Sequence, residues 1–165
     1  MPMNATPKRR TRPKRELALT VQYATRCAGV PAPAKVRRWA SAALRTDASV
    51  TVRIIGAREA QALNRKYRGR DYATNVLTFI YTTNMRLEGD IAICAPVVSR
   101  EARTRAISLD AHYAHLIVHG LLHLQGYDHE RARDARGMEA LEIKVLNSLG
   151  YPNPYSTRDF IQKAA

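Results

Sequence analysis

The sequence predicts an α+β fold: one domain in which a small mixed four-stranded sheet is covered by about five helices, with a central, buried, histidine-bearing helix. Three observations predict it. Short segments rich in β-branched residues alternate with helical patterns up to about residue 94. From Pro96 onward the patterns are helical only. One of these later helices is apolar nearly all round, which places it inside a domain. With 165 residues, 45% of them hydrophobic, the chain has enough apolar surface for one core and too little for two comfortable ones.

The elements follow in order. LALTVQY (17–23) alternates as a strand does. Pro31 and Pro33 open a helix that puts Val36, Trp39, Ala40, Ala43 and Leu44 on one face and Lys35, Arg37, Arg38 and Arg45 on the other. VTVRII (50–55) is a second strand, and a short helix covers 57–66. YRGRDYA (67–73) is polar, contains a glycine and is expected to be a loop. TNVLTFIY (74–81) and GDIAIC (89–94) are strands around a turn at 83–88. Helices are expected over 96–106, from an N-cap at Asp110 to about Leu124, and over 130–149. The last of these carries Met138, Leu141, Val145 and Leu149 along one stripe. A flexible basic arm is expected over 1–15, the single domain over 16–155 and an irregular tail over 156–165.

Charge narrows the classes of partner. The formal net charge is +13. Lys8, Arg9, Arg10, Arg12, Lys14 and Arg15 contribute six of those charges from the arm, so the body is basic in its own right. Such a chain favours polyanions, nucleic acid first. No apolar run follows the basic start as a secretory signal requires, and no stretch approaches the roughly 20 apolar residues that span a bilayer. Two cysteines, Cys27 and Cys94, are too few for a disulfide framework. A cytoplasmic protein with reduced thiols and no membrane partner is expected.

Five histidines lie between positions 112 and 129, on and just after the apolar helix. Buried imidazoles without partners cost free energy, and a metal ion supplies a partner. His115, His119 and His123 share one face at i, i+4 steps. His115 and His123 are separated by eight residues of helix, roughly 12 Å, too far to share an ion. The pair is therefore 115/119 or 119/123. Gly126 permits a left-handed turn that lets the chain double back, bringing His129 toward the nearer pair. His119, His123 and His129 are the expected metal ligands, His115 a hydrogen-bonded or cleft-lining neighbour, and His112 an ordinary surface or packing residue. Three neutral imidazoles suit one Zn²⁺ per chain and leave a position for water.

The stretch HGLLHLQGYDH (119–129) has zinc-protease spacing, but Gly120 stands where those enzymes carry a glutamate base. A peptidase would need a carboxylate from elsewhere, Glu88 or Asp90. Phosphodiester cleavage makes less demand on such a base, because zinc supplies hydroxide near neutral pH. It needs positive charge beside the phosphoryl oxygens, and arginine is abundant here.

HGLLHLQGYDH resembles the signature of the YbeY family of bacterial rRNA-maturation endoribonucleases. LNRKYRGRDYATNVLTF (63–79) and GDIAICAPVVSREA (89–102) resemble that family's two other blocks, in the same order. Ala73 replaces the usual proline and Thr78 the usual serine, and neither is an expected ligand. The resemblance implies a metal-dependent, single-strand-specific endoribonuclease acting in 16S rRNA 3′-end maturation and ribosome quality control, with rRNA and the ribosomal subunit as partners. It implies zinc ligands at His119, His123 and His129 and a functional arginine at Arg68. An arginine in the loop before a strand suits that role, since its fork can hold a phosphate through two hydrogen bonds. Asp128 can orient a ligand imidazole or cap the last helix. Two rival readings are a zinc metallopeptidase and a non-enzymatic ribosome-binding module stiffened by structural zinc.

Overall fold

The computed structural model describes residues 14–81, 86–128 and 131–156. Its elements are β1 (Leu17–Ala24), α1 (Pro33–Ala43), β2 (Ala48–Ile55), α2 (Ala57–Arg68), β3 (Val76–Tyr81), β4 (Leu87–Cys94), α3 (Ala95–Thr104), α4 (Leu109–Leu124) and α5 (Ala132–Ser148). The sheet order is β1-β2-β4-β3. β1 and β2 are parallel, as are β2 and β4, while β3 runs antiparallel to β4 at the edge. This is the mixed four-stranded sheet with five helices expected from the sequence. None of the helices among the described residues is long and apolar enough to cross a membrane.

Strand alternation sorts the side chains onto two faces. Val50, Val52, Ile54, Ile91 and Ile93 join the main core with Trp39 of α1 and most of α4. Ile55, Leu77, Ala92 and Cys94 face the other way, into a smaller cluster with Ala60 of α2 and Val97 of α3. Trp39 is fully buried, and its indole N–H donates to the Tyr151 hydroxyl at 3.2 Å. Cys27 and Cys94 are both free thiols, and burial pushes the Cys94 thiol up.

Two glycines let α4 lie close to the sheet. A Cβ on Gly120 would stand 3.0 Å from Cδ1 and 3.1 Å from Cγ2 of Ile91. On β4, a Cβ on Gly89 would stand 2.8 Å from Leu124 Cδ2 and 2.8 Å from the Phe79 carbonyl oxygen. The position that a zinc protease fills with its base is here a packing contact between α4 and β4.

The ends of α4 are set locally. Its N-cap is Ser108, not Asp110: the Ser108 hydroxyl oxygen accepts from the Ala111 N–H at 3.1 Å. Asp110 lies in the first turn, where its charge suits the helix dipole, and it pairs with Lys35. At the other end Gly126 adopts φ +92°. Its N–H donates to His123 O at 3.0 Å and the Tyr127 N–H to Leu122 O at 3.2 Å, closing the helix as the sequence leads one to expect.

Of the expected arm, residues 1–13 lie outside the described residues, as do residue 82, 83–85 of the turn, 157–165 of the tail, and His129 and Glu130.

Candidate active site

Exposure rises along α4 toward its C-terminal end. His112 and His115 are 1% and 8% exposed, while His119 and His123 are half-buried. The helix thus carries two histidines into the protein and two to its surface. His119 and His123 stack, with centroids 6.3 Å apart and ring planes 14° from parallel.

Each of the two inner histidines meets a carboxylate. His112 Nε2 lies 2.7 Å from Glu101 Oε2. Glu101 also accepts from the Asn75 side-chain amide at 3.3 and 3.1 Å. Burial lowers the His112 pKa, and the hydrogen bond with Glu101 opposes that only in part. His112 is therefore a packed, hydrogen-bonded residue and not a surface one.

His115 Nε2 lies 3.0 Å from Glu142 Oε2, which makes it the hydrogen-bonded neighbour that the spacing leads one to expect. His119 Nδ1 lies 2.6 Å from Glu142 Oε1. The Tyr155 hydroxyl also donates to Glu142 Oε2. Burial by itself would raise the Glu142 carboxyl. The hydrogen bonds of His115, His119 and the Tyr155 hydroxyl outweigh it and hold the pKa down to about 2. Glu142 is therefore ionised and accepts only, so His119 donates from Nδ1. His123 Nδ1 lies 3.2 Å from the Tyr127 carbonyl oxygen, which also can only accept. In the neutral rings, both histidines then carry their lone pair on Nε2.

By distance, His115, His119 and Glu142 form a group able to hold a metal, with one donor atom from each within 4.8 Å of the others. Their separations of 2.6 and 3.0 Å are those of hydrogen bonds, and Glu142 meets Nδ1 of His119, on the far side of that ring from Nε2. The contact orients the His119 ring in the way that a carboxylate behind a metal-bound imidazole orients it. The donor chemistry thus leaves Nε2 of His119 and Nε2 of His123 as the ring atoms able to meet a metal ion.

A cavity of about 310 Å³ opens beside this network, with Asn75, Arg105, His115, His119, Glu139 and Glu142 on its walls. Arg105 is held there by donating to Pro154 O at 2.7 Å.

Arg68 stands elsewhere than expected. Tyr67 and Arg68 form the last turn of α2, not a loop, and the helix ends at Gly69 with φ +67°. Arg68 Nη2 donates to Thr78 O of the edge strand β3 at 3.1 Å, and its Cζ lies 5.9 Å from the Phe79 ring centroid. Arg68 does not line the cavity beside His119. The segment after α2 is pinned by Asn64, 2% exposed, whose side-chain amide donates to Tyr72 O at 2.8 Å. Asn75 secures the start of β3: its carbonyl accepts from the Cys94 N–H at 2.9 Å and its Oδ1 from the Val76 N–H at 2.7 Å.

Glu88 and Asp90 do not serve as substitute bases for the missing glutamate. Gly89 and Ile91 face α4, so alternation turns Glu88 and Asp90 to the opposite face. Asp90 there accepts from the Tyr81 hydroxyl at 2.6 Å. The N-cap of α5 is Arg131, with no side-chain cap, so Asp128 is not its N-cap.

Sequence reasoning missed Glu142, Glu101 and Tyr155. Glu142 had a signal: it falls one turn after Met138 and three residues before Val145, on the apolar stripe of α5.

Fold and site together define a class: an α+β domain whose central helix presents imidazoles at metal-binding spacing beside an antiparallel edge strand. The family model described as Endoribonuclease YbeY matches residues 32–150. The Endoribonuclease YbeY of Aromatoleum aromaticum is 59% identical over 143 residues, covering 85% of this chain and 93% of its own. That of Nitrosomonas eutropha is 53% identical over 137 residues, covering 83% and 97%. The chain belongs to the endoribonuclease YbeY family. The solution structure of TM1509 from Thermotoga maritima shares the fold, with a TM-score of 0.53 and 23% identity over 79% of this chain and 91% of that one.

Proposed function

We propose that this chain is a zinc-dependent, single-strand-specific endoribonuclease that matures the 3′ end of 16S rRNA and serves ribosome quality control in the cytoplasm. One observation carries the reading: in a member of this family, His119 and His123 both have Nδ1 committed to an acceptor, which makes Nε2 the metal-binding atom of each. His129 is proposed as the third ligand. A bound zinc ion would supply Lewis acidity and an activated water.

The chain's own residues do the rest. Glu142 and the Tyr127 carbonyl orient the two imidazoles. Arg68, braced on Thr78 O, places a permanent cation at the β3 edge to hold a phosphate and steady charge developing on it. Arg105 adds a second cation in the cavity wall. Body and arm cations hold the RNA backbone. The attacking oxygen is water or an RNA 2′-hydroxyl, and a 2′,3′-cyclic phosphate product identifies the latter. The peptidase reading is disfavoured by Gly120 packed on Ile91 and by Asp90 on the opposite sheet face.

The test is zinc analysis of the purified protein together with rRNA cleavage by wild type, His119→Ala and Arg68→Ala. His119→Ala loses both zinc and cleavage. Arg68→Ala keeps zinc and loses cleavage by about 10²–10³-fold, as removal of one charge-stabilising donor does. Clean wild-type protein that binds ribosomes but cleaves no RNA would establish the non-enzymatic module instead.

A further inference from the structure

Glu142 is only 1% exposed, on the face of α5 that meets α4, among Met138, Val145 and Leu146. Burying a carboxylate is costly unless its oxygens are satisfied. An apolar residue of similar volume often fills such a position with no loss of stability. The partners of Glu142 are divided between its two oxygens. Oε2 takes His115 and Tyr155, while Oε1 takes His119. The division separates a packing duty, in which α4, α5 and the segment after α5 are tied together through Oε2, from a second duty exerted through Oε1 on one exposed-side imidazole.

We infer that Glu142 is a positioning residue of the metal centre, fixing His119 in the Nδ1–H tautomer so that Nε2 is offered to the ion before it arrives. The inference rests on the zinc reading above. Without the carboxylate the imidazole can carry its proton on either nitrogen and turn about its χ angles, so binding must first select the tautomer and the orientation. The Tyr127 carbonyl does the same for His123, through backbone held by the glycine turn. The two ligands are thus prepared by unrelated means, one by a side chain from another helix and one by the closing turn of their own.

The readout is zinc affinity, measured by competition with a chromogenic chelator, with Co²⁺ spectra as a second view of ligand geometry. Glu142→Gln and Glu142→Leu weaken zinc binding by about 10- to 100-fold, the range seen when a residue that orients a metal ligand is lost. Tyr155→Phe and His115→Gln, which leave the contact of Oε1 with His119 in place, keep the wild-type affinity. Wild-type affinity in both Glu142 variants overturns the inference. So does an equal loss in Tyr155→Phe, which would reduce Glu142 to a packing role. Long-range ¹H–¹⁵N spectra of the zinc-free wild type give a test that no variant has to fold for: His119 shows Nδ1–H, and an Nε2–H signal overturns the inference. A wild type that binds no zinc sinks the zinc reading itself, and that failure is seen in the unmutated arm alone.

Discussion

At the scale of the residue, the site depends on which nitrogen or oxygen of a side chain is already engaged. His112 gives a measurable case. Burial holds its folded pKa below the ordinary 6.5. As pH falls through 6.5 the unfolded chain takes up that proton first, so the stability contributed is complete above 6.5 and is lost progressively as pH falls toward the folded value. Thermal melts from about pH 8 to about pH 5 will show an acid limb, and His112→Gln will flatten it. The helical spacing and Gly126 make His119 and His123 legible in the sequence. Glu142 is hard to see because an acidic residue in an amphipathic helix that carries both signs of charge reads as solvated until the partner helix is placed over it. The sequence puts Arg68 in the wrong element, since the basic, polar run around it resembles a loop while α2 continues through Arg68 to a cap at Gly69.

At the scale of the element, α4 is constrained on both sides. His119 and His123 reach its open side, and Gly120 lies on the side closed against β4. Gly120→Glu, which restores the sequence pattern of a zinc protease, will not restore its chemistry. The new side chain begins 3.0 Å from Ile91, and overpacking of this kind costs about 1–3 kcal/mol. A lower denaturant midpoint and no peptide cleavage are the expected results. Peptide cleavage by this variant would mean that the helix turns to present the position. Strand positions are legible because β-branched runs are short and well separated. The Ser108 cap is less so: Asp110 is an equally good capping residue by type, and the difference is made by the Ser108 backbone being extended while Asp110 is already helical.

At the scale of the whole molecule, the excess of +13 charges is the property that composition alone supplies and the fold does not change. Binding of single-stranded RNA will weaken linearly in log salt, with a slope of about −0.7 for each phosphate neutralised. Deleting residues 1–13, which hold Lys8, Arg9, Arg10 and Arg12, will make that slope shallower and leave zinc binding unchanged. An unchanged slope would show that the arm makes no contact with the RNA backbone. The architecture is legible from the order of patterns, strands with helices between them and then helices alone. The order β1-β2-β4-β3 is not, because strand order is fixed by connection and packing rather than by composition.

Tyr155 lies beyond α5, past two prolines, yet its hydroxyl reaches the carboxylate that steadies His119. A chain trimmed after Gly150 would keep β1 to β4 and α1 to α5 and still leave the Glu142 carboxylate one donor short. The same hydroxyl lies 3.3 Å from His115 Nε2, so the segment after α5 is stitched to the helix that bears the histidines as well.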